Sequence, residues 1–356
     1  MTRKTTAIID LSALRHNLSV VRNHAPTSRI LAVIKANGYG HGIEPIGLAL
    51  KEADAFAVAT MSEALRLREA GINKPVVLLQ GVNNESDLAQ VEKYHLDLVV
   101  HHQQQIDLLQ SYAPSKLSFW LKVNTGMNRL GISTSMVDES IEQLSQLNPK
   151  EIILMTHFAN ADNREDSFTQ KQIDRFEKLE QTKQLETSMA NSAGILHWPS
   201  AHHDWVRAGI MLYGATPFNS GTAEELGLRP VMTLVSELIA VNRCEAGEPI
   251  GYGGLWRCPE TMLVGVVAIG YGDGYPRHIS ENTPVLINGI RCPIIGRVSM
   301  DMLCVDLRSV PQAQITDEVL LWGKGLPIEE IALKAATLTY EIFCQVTGRV
   351  KFSYLD

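Results

Sequence analysis

The chain carries, close to its start, Ile30-Leu31-Ala32-Val33-Ile34-Lys35-Ala36-Asn37-Gly38-Tyr39-Gly40-His41-Gly42, an apolar run that ends at a lysine and a glycine-rich turn. The run from Ile30 to Lys35 has the length and the β-branched content of a buried strand. A lysine at the end of such a strand lies at the rim of a core, where desolvation makes its amine easier to deprotonate. Because a neutral amine attacks carbonyl carbons, Lys35 is a candidate for Schiff-base chemistry. For a lysine taken alone, a solvated strand end is the alternative.

Short apolar runs alternate with amphipathic helical patterns from about residue 30 to residue 215. Within Ser167 to Gln184, for example, Ile173, Phe176 and Leu179 recur at helical spacing. The strand candidates are Ile30 to Lys35, Ala55 to Thr60, Pro75 to Gly81, Leu96 to His101, Leu117 to Asn124, Glu151 to Phe158, Thr187 to Asn191 and Asp204 to Gly214. About eight strand-helix units predict a (β/α)8 barrel over residues 12–229. An open doubly wound sheet is the alternative, which the lack of a GxGxxG sequence after the first strand disfavours.

After Arg229-Pro230 the helical patterns nearly vanish. Asn288-Gly289 is a strong signal for a type I′ hairpin turn, and Ile328 to Val346 predicts one amphipathic helix. The strand candidates here are Val231 to Val241, Leu263 to Ile269, Pro284 to Arg291, Pro293 to Val298, Leu303 to Leu307 and Val319 to Trp322. We therefore expect a mostly β domain over residues 230–356, with residues 1–11 as a candidate addition to it.

The composition disfavours several classes of partner and site. The 356 residues are 45% hydrophobic and carry a formal net charge of -7 without a long basic run, so neither nucleic acid nor a membrane surface is an expected partner. No apolar run approaches the roughly 18 residues of a membrane span, and a signal-length apolar stretch is missing near the start, so a cytoplasmic location is expected. The five cysteines lack CxxC spacing, which predicts reduced thiols and no metal site.

Polar residues stand where several of the predicted strands end. Barrel enzymes build their sites from the loops at the carboxyl ends of the strands. The residues at these places are Lys35 on the first strand, Lys122 and Arg129 at and beyond the fifth, His157 on the sixth, Asn191 and Ser192 at the seventh, and Arg207, Gly209 and Ile210 at the eighth. Each is a weak signal alone, because a strand-end histidine is more often structural and an Asn-Ser pair is more often a helix cap. Together they predict one site at one end of the barrel.

The pattern AxIKANxYGHG around Lys35 resembles the cofactor-lysine motif of the alanine racemase family, whose cofactor is pyridoxal 5′-phosphate (PLP). The resemblance continues through Ile250-Gly251-Tyr252-Gly253-Gly254, Ile269-Gly270-Tyr271-Gly272-Asp273-Gly274-Tyr275-Pro276-Arg277 and Gly296-Arg297-Val298-Ser299-Met300-Asp301. Spaced motifs in this order rarely arise by chance, and they extend the resemblance over nearly the whole chain. The sequence departs from the family pattern at Gly38, where alanine is common, and at Asn124, where aspartate is common.

The resemblance implies a role for each candidate residue. Lys35 matches the lysine that binds PLP covalently, and Tyr252 matches the second acid/base residue on the opposite face. The implied cofactor contacts are Tyr39, Ser192 with its neighbour Asn191, Gly209, Ile210 and Tyr340 at the phosphate, and Arg207 at the pyridine nitrogen with His157 behind it. The implied substrate contacts are Arg129, Tyr271, Met300 and Asp301. Lys122 matches a lysine that the family carbamylates to hold the arginine, and an unmodified lysine paired with a carboxylate is the alternative.

We therefore expect a PLP-dependent racemase that interconverts L-alanine and D-alanine by a two-base mechanism, as a homodimer whose sites are shared between subunits. A racemase of broader substrate range would carry the same motifs. A basic-amino-acid decarboxylase usually pairs the pyridine nitrogen with a glutamate, so Arg207 disfavours it. A noncatalytic PLP carrier lacks the β domain, so Tyr252 and residues 230–356 disfavour that alternative.

Overall fold

The computed structural model describes residues 4–114, 116–180 and 184–356. Its strands are β1 Thr6–Asp10, β2 Arg29–Val33, β3 Ala55–Val58, β4 Val76–Leu78, β5 Asp97–Val100, β6 Ser118–Lys122, β7 Glu151–Met155, β8 Glu186–Ser188, β9 Trp205–Ala208, β10 Met232–Cys244, β11 Pro249–Ile250, β12 Trp256–Arg257, β13 Met262–Val267, β14 Pro284–Ile287, β15 Ile290–Ile295, β16 Leu303–Asp306, β17 Glu318–Trp322 and β18 Lys351–Leu355. Its α-helices are α1 Leu11–His24, α2 Lys35–Tyr39, α3 Ile43–Ala49, α4 Met61–Glu69, α5 Glu85–Lys93, α6 Gln103–Tyr112, α7 Val137–Ser145, α8 Phe168–Glu180, α9 Ser192–His197, α10 Ile328–Lys334 and α11 Thr339–Gln345. No helix within the described ranges is both long enough and apolar enough to span a membrane.

Strands β2 to β9 form a closed barrel in which neighbouring strands run parallel, and β9 pairs back with β2. The barrel strands are mostly buried; β3 and β6, for example, are buried at every position. Continuous apolar runs suit such strands, because both of their faces are covered. The predicted (β/α)8 barrel is confirmed.

Side-chain caps begin several helices just beyond the strand that precedes them. The Thr60 hydroxyl accepts a hydrogen bond from the Glu63 backbone N–H, and the Glu63 carboxylate accepts one from the Thr60 backbone N–H, which completes a capping box at α4. Asn84 and Asn191 are likewise the N-cap residues of α5 and α9, which also follow barrel strands. Capping therefore fixes where these strand-to-helix loops end, at the rim on which the predicted site residues stand.

The mostly β domain is confirmed as well. Its principal sheet has the order β13-β16-β15-β14-β17-β10-β1-β18, and β10 also pairs with β13, so six of these strands close into a ring. The register of β10 shifts between Leu238 and Ala240. A bulge of this kind bends a strand, so the first half of β10 pairs with β17 and the second half with β13.

The chain divides into two compact units. The barrel unit comprises Arg15–Leu212 and Thr216–Ser220, and the β unit comprises residues up to Leu14, Tyr213–Ala215 and Gly221–Asp356. Strand β1 belongs to the β unit because it pairs antiparallel with β10 and parallel with β18.

Several predicted elements were wrong in their extent. The strand over Asp204 to Gly214 ends at Ala208, and a 3-10 turn, Ile210–Tyr213, follows. The predicted strand that ran to Arg291 instead ends at Ile287, where the Asn288-Gly289 turn begins; both turn residues have positive φ, 51° and 76°, as a type I′ turn requires.

The single helix over Ile328 to Val346 was also wrong. It is two helices, α10 and α11, because Ala336 takes a left-handed conformation between them with φ 50°. The helix predicted to reach Gln184 is described to Glu180, and residues 181–183 of that prediction lie outside the described residues.

Candidate active site

The chain turns through left-handed conformations directly after Lys35. Lys35 follows β2 and begins α2, in which Ala36, Asn37 and Gly38 have φ/ψ of 53°/51°, 54°/47° and 63°/45°. For residues other than glycine such a conformation costs about 1–2 kcal/mol each. Strain of this kind persists only where the surrounding structure holds it, and it is concentrated at functional sites.

Helix α4 holds this turn in place. The Asn37 N–H donates to Glu63 Oε1 at 3.1 Å, and Arg66 Nη2 donates to Asn37 Oδ1 at 2.9 Å. The same Asn37 oxygen accepts from the Ile43 N–H at 3.2 Å. Glu63 is also the residue that completes the capping box of α4. The cap of one helix therefore fixes the backbone that carries Lys35.

Hydroxyl and backbone groups converge beside the loop that follows β9. Ser192 Oγ accepts from the Gly209 N–H at 3.0 Å and lies 3.5 Å from the Met211 N–H. A Cβ atom on Gly209 would lie 2.8 Å from the Tyr39 hydroxyl, so a glycine is needed for the tyrosine to approach. Loops after the last two strands of a barrel commonly bind phosphate, and backbone N–H groups there can approach an anion closely. These residues fit the phosphate of PLP.

Asn191, which precedes Ser192, has a structural role at the same place. Its side chain accepts from the Gly194 N–H at 2.9 Å and so caps α9. This fixes the loop on which Ser192 stands. Ile210 begins the 3-10 turn that follows Gly209, and it is fully buried. Asn191 and Ile210 thus shape the loops from which the polar groups project.

Arg207, on β9, is buried among uncharged acceptors. Its Nη1 donates to Ser188 Oγ at 2.7 Å, and its Nη2 donates to Thr156 O at 2.6 Å and Met189 O at 3.0 Å. Burial lowers the pKa of Arg207 to about 10. The guanidinium therefore still carries its charge and all its protons at neutral pH.

His157 is held in one neutral form by Arg207. Arg207 Nη2 lies 3.1 Å from His157 Nδ1, and because a guanidinium only donates, Nδ1 must accept. Burial and the charges of Arg207 and Lys122 hold the pKa of His157 well below its usual value. The remaining proton is then on Nε2, where it can be donated.

Four cations lie close enough to influence one another. Lys122, at the end of β6, is 8% exposed, and burial together with the charges of Arg207, Arg129 and Lys35 lowers its pKa to about 8. The charges that act on Lys122 are thus positive, which argues against the alternative of a lysine paired with a carboxylate. A partly buried cluster of positive charge attracts anions, and it fits both the cofactor phosphate and a substrate carboxylate.

His101 is a rim residue that the sequence reasoning missed. It follows β5, its Nε2 lies 3.0 Å from Gln80 O, and burial with the charges of His102 and Lys122 lowers its pKa. Its proximity to Lys122 places it at the cationic cluster. Its position directly after a barrel strand was the signal that could have found it.

The β unit brings its three motifs together. The Tyr271 N–H donates to Ser299 O at 3.0 Å, which joins the second motif to the third. A Cβ atom on Gly296 would lie 2.8 Å from Ile250 O. The third motif, Gly296 to Asp301, therefore also packs against the first motif, Ile250 to Gly254, which carries Tyr252. Positions that the sequence separates by up to about fifty residues thus adjoin within this unit.

Several candidate residues of the β unit are exposed in the single chain. Tyr252 is 72% exposed, Met300 53%, Tyr271 38% and Tyr340 37%. The Asp301 side chain is half exposed and forms an ion pair with Arg349 at 2.5 Å. Exposed aromatic and methionine side chains of this kind are typical of interaction surfaces.

The candidate residues therefore form two groups, one in each unit. The barrel unit holds Lys35, Tyr39, Lys122, Arg129, His157, Asn191, Ser192, Arg207, Gly209 and Ile210, and the β unit holds Tyr252, Tyr271, Met300, Asp301 and Tyr340.

Comparison with known proteins gives a consistent result along the chain. The family model for the alanine racemase N-terminal domain matches residues 9–217, and the model for the alanine racemase C-terminal domain matches residues 231–354. An alanine racemase of Nitrosococcus oceani is 51% identical over 347 residues, which are 97% of each chain.

Solved structures agree. The crystal structure of the biosynthetic alanine racemase of Pseudomonas aeruginosa matches with a TM-score of 0.97 and 41% identity, over 99% of this chain and 100% of that one. The alanine racemase of Bartonella henselae, solved with covalently bound pyridoxal phosphate, matches with a TM-score of 0.90 and 29% identity, over 99% of each chain.

Proposed function

Because this chain belongs to the alanine racemase family along almost its whole length, we propose that it interconverts L-alanine and D-alanine with PLP as its cofactor. PLP supplies the acidification of the α-proton of a bound amino acid. The observation that supports the proposal best is the barrel rim. Three features lie there on neighbouring loops: Lys35 on its left-handed turn, the Ser192 hydroxyl beside Gly209, which suits a phosphate, and the buried Arg207.

The barrel residues bind and orient the cofactor in this proposal. Lys35 would hold it covalently, while Tyr39, Ser192 and the backbone near Gly209 would bind its phosphate. Arg207 would face the pyridine nitrogen. Because Arg207 retains its protons at neutral pH, it can donate a hydrogen bond to that nitrogen but cannot protonate it as a carboxylic acid would. This distinguishes the proposal from a decarboxylase with a glutamate at that place.

Two acid/base groups are needed because inversion removes a proton from one face of the α-carbon and returns one to the other. We assign these roles to Lys35 and Tyr252. Positioned proton transfer of this kind contributes about 10²- to 10⁴-fold to a rate. A tyrosine acts as a base only through its phenolate, which a nearby cation stabilises. Arg129 is the cation that we propose for this task.

The exposure of Tyr252 supports a shared site in a homodimer. A general base acts best where water is excluded, yet Tyr252 is 72% exposed in the single chain. We propose a two-fold dimer in which the β unit of one subunit covers the barrel mouth of the other. Lys35 and Tyr252 of one site would then come from different chains.

Subunit mixing tests this arrangement. In a hybrid of a Lys35→Ala subunit with a Tyr252→Phe subunit, one site would carry both lesions and the other neither. Random exchange makes about half the dimers hybrid, so activity should recover to roughly one quarter of the unmodified level. Verified exchange without recovery would refute the shared site.

We also propose that Lys122 is carbamylated. Carbon dioxide adds to a neutral amine, and the low pKa of Lys122 supplies that form. The product is an anion among cations, which would hold Arg129 toward the substrate carboxylate.

The activity itself is tested by incubating the PLP-loaded protein with L-alanine, L-serine and L-lysine and analysing each product by chiral chromatography. D-alanine as the main product supports the proposal. Comparable racemisation of serine or lysine would support the broader racemase, and release of carbon dioxide would support the decarboxylase. We also propose a cytoplasmic location, as expected from the apolar runs of the sequence, and the free cysteines fit such a reducing compartment.

A further inference from the structure

Gln172 is a fully buried residue on the outer helix α8 (Phe168–Glu180). Its Nε2 donates to Thr125 Oγ1 at 3.1 Å and to His157 O at 3.0 Å. Its Oε1 accepts from the Ala159 N–H at 2.9 Å. One side-chain amide thus uses both of its N–H groups and its oxygen on the segments that follow β6 and β7.

The amide can have only one orientation. If its oxygen and nitrogen were exchanged, the oxygen would face the His157 carbonyl oxygen and the nitrogen would face the Ala159 N–H. Two acceptors and two donors would then oppose each other, so the hydrogen-bond network fixes the assignment. Gln172 must therefore donate to Thr125.

The bonds beyond Thr125 also have a fixed direction. Thr156 Oγ1 donates its single proton to Val123 O at 2.9 Å. Across the 2.8 Å contact between the two hydroxyls, Thr125 must then be the donor and Thr156 the acceptor. Thr125 and Thr156 are 1% and 0% exposed, so water does not compete for these bonds. The chain runs from Gln172 through Thr125 to Thr156.

This chain of hydrogen bonds ends at the residues that accept hydrogen bonds from Arg207. Arg207 Nη2 donates to Thr156 O at 2.6 Å and to His157 Nδ1 at 3.1 Å. Gln172 fixes Thr156 through Thr125. It fixes His157 through its bond to the His157 carbonyl oxygen. We propose that Gln172 is a positioning residue that sets the direction of the Arg207 guanidinium. The inference rests on the proposed function, in which Arg207 faces the pyridine nitrogen of PLP.

Helix α8 reaches the neighbouring loop by a second contact. Arg175 Nη1, one turn after Gln172, donates to Thr125 O at 2.9 Å. A Cβ atom on the next residue, Gly126, would lie 2.8 Å from the Phe168 ring and 3.0 Å from Arg175 Nη1. The backbone at Thr125 is therefore held independently, so replacing Gln172 removes the hydrogen-bond chain without releasing this loop.

The test compares two replacements of nearly equal volume. Gln172→Met removes every hydrogen bond, and we expect the PLP-loaded variant to lose about 10- to 100-fold in kcat through misplacement of Arg207. The pH dependence of the absorption spectrum of bound PLP should change as well, because that spectrum reports the protonation of the cofactor. In Gln172→Glu the carboxylate donates nothing, whereas the protonated acid donates one bond. Its activity relative to the unmodified enzyme should therefore rise as the pH falls.

Gln170→Met is the matched control. Gln170 lies on the same helix but is exposed, and its side chain donates to Asp174 Oδ1 at 2.8 Å. Its replacement should leave kcat, the spectrum and the pH profile unchanged.

A Gln172→Met enzyme that binds PLP and keeps the unmodified kcat and spectrum would overturn the inference. Loss of thermal stability alone, with an unchanged pH profile in Gln172→Glu, would also overturn it. If Gln172→Met does not fold, Thr125→Ser, which keeps the hydroxyl, should retain activity and Thr125→Val should not; equal behaviour of this pair would contradict the chain. Failure of the unmodified protein to racemise alanine would refute the proposed function instead, and the PLP spectra would still decide the role of Gln172.

Discussion

Removal of carbon dioxide should lower the activity of this enzyme, because the proposed carbamate on Lys122 would be lost. Burial and three neighbouring cations lower the pKa of Lys122 from 10.5 to about 8. At pH 7 about one amine in eleven is then neutral, against about one in three thousand for an ordinary lysine. Only the neutral amine attacks carbon dioxide, so the site should hold on the order of 300-fold more of the reactive form. Addition makes an N–C bond, releases one proton and leaves an anionic carbamate among the cations.

Labelled bicarbonate provides the assay. The PLP-loaded enzyme, equilibrated with ¹³C-bicarbonate, should show a carbamate resonance that is missing from Lys122→Arg. Lys122→Ala should raise KM for alanine about 10- to 150-fold, because Arg129 would lose the proposed charge-assisted contact, worth about 1.5–3 kcal/mol. Acetate should restore part of the loss. The reasoning is refuted if no label is found on Lys122 and Lys122→Ala keeps the unmodified KM.

Three further outcomes follow from the structure. Tyr252→Phe should bind PLP normally yet lose at least about 10²-fold in kcat, because one of two proton-transfer groups is gone; near-normal turnover would place the second base elsewhere. Arg207→Glu should slow racemisation and release pyruvate by transamination, since a carboxylic acid can protonate the pyridine nitrogen; an unchanged rate without pyruvate would mean that Arg207 does not face the ring. Burial, and then the charge of Glu151, raise the pKa of Asp97 from 3.8 to about 7. Between these two values the folded state binds a proton that the unfolded state has lost. The free energy of unfolding should therefore fall as the pH rises from about 4 to 7, by at most about 4 kcal/mol. Urea unfolding midpoints should show this slope for the unmodified protein and a flatter one for Asp97→Asn, and parallel slopes would contradict it.

The barrel could be predicted because its signal is local and repeated. Most of the barrel strands are short apolar runs that are followed by a helical pattern, as with Ala55–Val58 and the capped helix Met61–Glu69. Candidate site residues such as Lys122 and His157 could be predicted because chemistry in a barrel is confined to the strand ends. Residues 1–11 were a candidate addition to the β domain, but β1 was not predicted as a strand, because its partners β10 and β18 lie more than two hundred residues away in the sequence.

Other features depend on tertiary contacts that no sequence pattern reports. Ala36 has no intrinsic preference for a left-handed conformation, and it adopts one because α4 holds the turn through Asn37. Gln172 lies on an outer helix, where a glutamine usually signals a solvated face. In the structure its side chain is instead buried and donates to Thr125 and to the His157 carbonyl oxygen.

The two-base assignment is the central claim, and deuterium incorporation tests it most directly. L-alanine is incubated with the PLP-loaded enzyme in D₂O, and the label at Cα of both enantiomers is measured by mass spectrometry at early times. If Lys35 and Tyr252 act on opposite faces, newly formed D-alanine should carry solvent deuterium while the remaining L-alanine keeps its protium. D-alanine that retains the protium of the substrate would show that a single group carries the proton across, and would contradict the account.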